Sequence, residues 1–184
     1  MVEYSKNIGE ITAHSTAGES RAGGISGTLY SGSYIRYCCN EGDASATENV
    51  KYNLAMAGGI AACAMYGTVM QSCNHGDVKV TATKYTSVAC GIGDGTDAVM
   101  TDCYNTGNVY PNGNDSEGAM LFKDSNTTCV NCYSVGTFPS TLGRRYGLYT
   151  INGWDSNIIK NCFTTETINT KASAIMTVEQ SKIK

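Results

Sequence analysis

Nine cysteines stand among 184 residues, and a thiolate is both a nucleophile and a soft metal ligand. Their number is odd, and Cys129 and Cys132 alone have Cys-x-x-Cys spacing, so paired zinc-binding clusters are not expected. Cys39, beside Cys38, would need a neighbouring base to act as a nucleophile. The two histidines, His14 and His75, lie far apart in the chain and give a triad little to work with. Asp94, Asp97 and Asp102 offer carboxylates for acid–base chemistry on a sugar. However, Asp94 and Asp97 fall in the loop-like GDGTD, and Asp102 falls where equivalent segments carry Tyr37, Gln71, Asn131 and Asn161. A polar face is the better reading. GDGTD and NGNDSEG (112–118) have the acidic composition of calcium loops without their full ligand spacing, so no cofactor is expected and calcium is the one candidate. Arg144, Arg145 and Tyr146, followed by Tyr149 and Trp154, are the one local concentration of cations and aromatics, suited to stacking on a sugar or to capping an end of the fold.

The elements that hold these residues must come from a chain that is 41% hydrophobic but only 16% charged, with 21 Gly and 2 Pro. Such a composition specifies a turn-rich globular domain. The net charge of −3, without a run of Lys or Arg, disfavours nucleic acid and anionic membrane surfaces as partners. No stretch approaches the ~18 consecutive apolar residues of a membrane span. The start of the chain has no charged leader before an apolar core, so a secretion signal is expected outside this sequence.

A repeat near 30 residues organises the chain. IRYCCNEGDA (35–44), VMQSCNHGDV (69–78), MTDCYNTGNV (100–109), CVNCYSVGTF (129–138) and IKNCFTTETI (159–168) align without a gap, and VEYSKNIGEI (2–11) is a sixth copy. The first column (Val2, Ile35, Val69, Met100, Cys129, Ile159) and the last (Ile11, Ala44, Val78, Val109, Phe138, Ile168) are apolar and should face a core. The fourth column, Ser5, Cys38, Ser72, Cys103, Cys132 and Cys162, is small throughout and reads as an interior ladder of structural thiols. Stacked side chains stay about as far apart as neighbouring strands, ~4.8 Å, at or beyond the Cβ spacing of a disulfide, so Cys103, Cys132 and Cys162 are expected as free thiols.

The sixth column, Asn7, Asn40, Asn74 and Asn105, precedes Gly9, Gly42, Gly76 and Gly107 and should supply tight or left-handed corners. A glycine-bearing motif upstream, such as AGGISG (22–27), AGGIAA (57–62) and ACGIGDG (89–95), implies at least two strands per coil, and Asn53 to Tyr66 belongs to one of them. Parity poses a problem. Columns one and four are three apart and cannot share a face of one flat strand. Either a bend separates them, or the fifth column, which ends in Tyr104, Tyr133 and Phe163, is the buried one. The expected fold is an all-β parallel β-helix, a β-solenoid of about six coils of roughly 30 residues over 1–170, with a capping or linker tail over 171–184.

Units of the form AGGIxG, spacer, NCYNTGxV resemble the GLUG-type repeats of bacterial surface proteins and adhesins, with Ala22 to Gly27, Ile35 to Ala44 and Met100 to Val109 as the nearest copies. The fourth and fifth units lack the double glycine, and Glu166 stands in place of the turn Gly. The resemblance implies a noncatalytic extracellular or cell-surface segment, an adhesive or spacer module. Its partners would be a host or environmental glycan, a surface protein or neighbouring domains of its parent. The alternatives are a carbohydrate-active β-helix, lyase- or hydrolase-like, and a phage fibre segment.

Overall fold

The computed structural model describes residues 1–49, 54–82, 87–113, 115–123, 126–139, 143–148 and 157–166. The chain winds into a β-solenoid whose strands pair in parallel from coil to coil, with no helix among the described residues. Each full coil carries five strands, in keeping with the expected minimum of two, one for each of five sheets. The first sheet stacks Val2–Glu3, Tyr34–Arg36, Thr68–Met70, Val99–Thr101, Thr128–Val130 and Ile158–Lys160. The second stacks Lys6–Asn7, Cys39–Asn40, Cys73–Asn74, Tyr104–Asn105, Tyr133–Ser134 and Phe163–Thr164. The third runs from Ile11–Ser15 through Ala44–Glu48 and Val78–Ala82 to Val109–Asn112. Ser20–Gly23, Ala55–Gly58, Val88–Cys90, Glu117–Ala119 and Arg144–Tyr146 form the fourth. The fifth comprises Ser26–Leu29, Ala61–Met65, Gly93–Thr96 and Phe122–Lys123. About four coils are therefore complete among the described residues, and the fifth and sixth of the expected series are represented in part.

The register matches the repeat alignment: Val69, Met100, Cys129 and Ile159 are successive partners in the first sheet. A bend solves the parity problem. The third-column residues Tyr4, Tyr37, Gln71, Asp102, Asn131 and Asn161 all have left-handed backbones, φ 48 to 56°. That turn rotates the strand so that the first and fourth columns both point inward and the fifth points out. A second left-handed corner, at Gly32, Tyr66, Asp97 and Asn126, leads from the fifth sheet back to the first.

The Asn column corrects the sequence expectation. Asn40, Asn74 and Asn105 are fully buried in strands with ordinary β backbone, not in left-handed corners. Each side chain lies on the next: Asn7 Nδ2 donates to Asn40 Oδ1, Asn40 to Asn74 and Asn74 to Asn105, all at 2.7 Å, and Asn105 donates to Ser134 Oγ at 3.0 Å. The same amides donate to the carbonyls of Gly9, Gly42, Gly76 and Gly107 at 2.6–2.8 Å. From Gly42 onward the turn glycines are required by close approach instead, while a Cβ on Gly9 would have room. A Cβ on Gly76 would lie 1.9 Å from the Gly42 carbonyl oxygen below it, although its φ is not left-handed.

The section through a coil is pinched. One core lies between the first and fifth sheets and includes Ile35, Val69, Ile60, Ile92 and Phe122. Another lies between the third and fourth sheets and includes Ala46, Val78, Val80, Ala57 and Ala89. Where they meet, one glycine in each of the first three coils, Gly24, Gly59 and Gly91, enters against the Asn ladder; a Cβ on Gly59 would fall 2.3 Å from Asn74 Cγ and 2.1 Å from the Gly91 oxygen. The missing Cβ at Gly24, Gly59 and Gly91 makes this re-entrant corner sterically possible in the first three coils, and Met120 stands at that position in the fourth.

Candidate functional site

Because the corner is re-entrant, the outer faces of the fourth and fifth sheets turn toward each other and form a seam along the solenoid. In the first coil, Arg21 Nη1 donates to Thr28 Oγ1 across it at 3.2 Å. In the second, Met56 packs with Cys63 and Ala62, and next come Val88, Cys90 and Ala119 with Tyr146. Met56, Cys63, Val88 and Cys90 face away from both main cores and are still buried.

Charge, present in the first coil as Arg21, returns to the seam from the third coil onward. Asp94 follows Cys63 in register and precedes Lys123; Glu117 follows Val88 and precedes Arg144. Asp94 and Glu117 are only 5% and 6% exposed, and Arg144 Nη2 meets Glu117 Oε1 at 2.8 Å. Asp94 thus sits in a strand, not in the loop read from GDGTD: the bulge between Ala61 and Cys63 brings it into the outer column. Burial first, and then the Asp94 and Glu117 charges, push the Cys90 thiol well above its ordinary value, with Lys123 opposing. The Tyr146 hydroxyl is raised by burial and by Glu117. Lys123 and Tyr146 are half-buried and Arg144 is exposed, so the seam opens to solvent at its charged end. The arrangement offers ion pairing and hydrogen bonding to a polar ligand next to one aromatic ring.

The expected cation–aromatic patch is divided by the fold. Arg144 and Tyr146 lie on the seam side of their strand, while Arg145 pairs with Gly118 in the column that Ala22, Ala57 and Ala89 turn toward the second core. Tyr149 and Trp154 lie outside the described residues. Asp97 and Asp102 occupy two different left-handed corners, and Asp102 Oδ1 accepts from Asn131 Nδ2 at 2.9 Å. His14 is exposed in a strand; His75 packs edge-on to Tyr104 and reaches Thr106 Oγ1 at 2.7 Å.

The outer row of the second sheet begins with Lys6 and continues through Cys39 and Cys73, which form a disulfide between coils with Cα atoms 4.6 Å apart. In this column, then, residues in register on neighbouring coils do bridge, against the expectation from strand spacing. Beyond the bridge, Tyr104, Tyr133 and Phe163 stack with centroids 5.1 Å apart and rings within 6° of parallel. These rings cover one another's faces and leave their edges to solvent, which suits cohesion along the axis better than stacking on a sugar.

The fourth-column cysteines Cys38, Cys103, Cys132 and Cys162 are buried free thiols, and each donates to the carbonyl two residues upstream at 3.2–3.3 Å. Cys129–Cys132 does not stand alone in space. Cys162 Sγ donates to Cys129 Sγ at 3.5 Å, and the three sulfurs lie within 4.8 Å of one another. Contact with Cys129 draws the Cys162 thiol down, but its hydrogen bond with Cys132 and its burial prevail and push it up to about 11. The other group of three or more metal-ligating residue types at this spacing among the described residues is Cys39, Cys73 and His75. Sequence reasoning missed the seam, whose only signal was the varied residues flanking the conserved-looking glycine motif in each unit. No family model, curated protein or solved structure matches the chain.

Proposed function

We propose that this chain is a noncatalytic segment of a bacterial surface protein, an adhesive β-solenoid whose coils are a rigid spacer and whose seam meets a glycan or a protein. One observation carries this reading: structural ladders repeat from coil to coil, whereas the seam changes at every coil. Asn, thiol, aromatic and glycine columns each do the same structural work in successive units. The seam instead runs from Arg21 through Met56 and Val88 to Glu117 and Arg144 along one wall, and from Thr28 through Cys63 and Asp94 to Lys123 along the other. Its Lys123–Arg144 end opens to solvent, and Arg21 and Thr28 at its other end are half-buried. The GLUG-like units AGGISG and MTDCYNTGNV support the surface setting.

The test is an array of glycans and extracellular proteins probed with the folded chain, repeated with Arg144→Ala. Saturable binding that falls by about tenfold in the variant, roughly 1.4 kcal/mol, supports the reading. The buried carboxylates Asp94 and Glu117 beside Lys123 favour a second reading, a carbohydrate-active β-helix. Cleavage of a polysaccharide that is abolished by a folded Glu117→Gln variant would establish that reading and overturn the first.

A further inference from the structure

The first inward column is filled by Val2, Ile35, Val69, Met100 and Ile159 in five coils and by Cys129 in the remaining one. That exception falls beside two ladder thiols. Left-handed Asn131 turns Cys129 and Cys132 toward the same core, and the next coil brings Cys162 above Cys132. All three are buried, their sulfurs lie within 4.8 Å of one another, and Met100 precedes Cys129 in register. A core that needed only filling would be served by the aliphatic residue used in the other coils; a third thiol adds donor chemistry.

We propose that Cys129, Cys132 and Cys162 form a binding site for one thiophilic divalent cation of the Zn2+ and Cd2+ class. Three sulfurs bound at about 2.3 Å in a trigonal plane stand about 4 Å apart, inside the spread observed here. An all-sulfur set rejects Mg2+ and Ca2+, which need oxygen ligands. Binding exchanges three S–H bonds for three metal–sulfur bonds and releases three protons to solvent, leaving one negative charge shared by the sulfurs. A monovalent ion such as Cu(I) would leave two, at greater desolvation cost in an apolar core.

The experiment uses the full chain with the Cys39–Cys73 bridge intact, which is verified by seven reactive thiols after unfolding without reductant. Cd2+ is titrated while the sulfur-to-metal charge-transfer band is followed, and native mass spectrometry counts the ions. One Cd2+ per folded chain with that band is expected. Cys129→Val, the residue type of Val69 in this column, should weaken binding by more than the roughly 10–100-fold lost with an outer-shell partner. Cys103→Ser, the residue type of Ser72 in its column, should bind as the parent does. If Cys129→Val does not fold, Cys162→Ser replaces it with the same expectation. The proposal is overturned by absence of one-equivalent uptake, by undiminished binding in the triad variant, or by equal loss in Cys103→Ser. Five reactive thiols with no uptake, the mark of a second disulfide, would also overturn it.

Discussion

Asn74 is the residue on which the interior polar ladder turns. Its Nδ2 serves both Gly76 O and Asn105 Oδ1, while its own Oδ1 accepts from Asn40. Asn74→Ala would leave several buried polar atoms short of partners at about 1–3 kcal/mol each, so a loss of about 2–4 kcal/mol is expected in urea unfolding. Asn7→Ala, at the half-exposed end of the ladder, should cost about 1 kcal/mol or less. Gln71 presents the opposite case: it is exposed and held at φ 48°, a conformation that costs an L-residue roughly 1–2 kcal/mol. Gly avoids that cost but loses more backbone entropy on folding. Gln71→Gly should therefore raise stability by up to about 1 kcal/mol and move the urea midpoint upward, and a lowered midpoint would refute the strain assigned to this corner.

At the scale of elements, two-residue strands such as Cys39–Asn40 and Cys73–Asn74 hold few backbone hydrogen bonds of their own. They depend on what spans the coils. The Cys39–Cys73 bridge closes a separation of 34 residues, which in the chain-entropy account is worth about 3–4 kcal/mol. Cys73→Ser should lower stability by about that amount, and a far smaller change would mean that neighbouring ladders already restrain the unlinked coils. The half-buried Lys79–Asp43 pair at 2.7 Å joins the same two coils more weakly, because solvent still screens it. The half-buried aromatic stack takes over beyond the bridge, so the outer row is cohesive by two different chemistries.

For the whole molecule, each coil buries its apolar columns only against its neighbours, and stability is close to a sum over coils and interfaces. Its pH dependence follows from buried thiols. Cys90 has its proton held tightly in the fold, first by burial and then by the Asp94 and Glu117 charges. The unfolded thiol ionises near its ordinary value of 9.0, so the folded form retains a proton that the unfolded form releases. The stabilising contribution is therefore complete below pH 9.0 and declines as pH rises above it, by about 1.4 kcal/mol per unit until the folded thiol ionises. Cys90→Val should flatten that alkaline decline by one thiol's share when unfolding is followed from pH 8 to 10.5, and an unchanged slope would show that Cys90 does not carry it.

The spacing of 29 to 34 residues between turn glycines and the gap-free columns determined a parallel solenoid and its register, because one-residue slips would expose every apolar column. Column composition also marked which positions stack. The sequence left open whether the first and fourth columns could share a core, since strand parity allows this only with a left-handed residue between them. Tyr4, Tyr37 and Gln71 are poor advertisements for that backbone. The re-entrant corner was half legible: glycines before Ile60 permit a bend or a close approach, and Gly58 and Gly59 do approach the Ala61 and Gly91 carbonyls and the Asn74 side chain, but the direction of the turn was hidden. Tertiary structure alone therefore decided that Asp94, Glu117, Lys123 and Arg144 share one seam. It alone also brought Cys162 to Cys129 and Cys132, because proximity across coils depends on how each corner turns the chain.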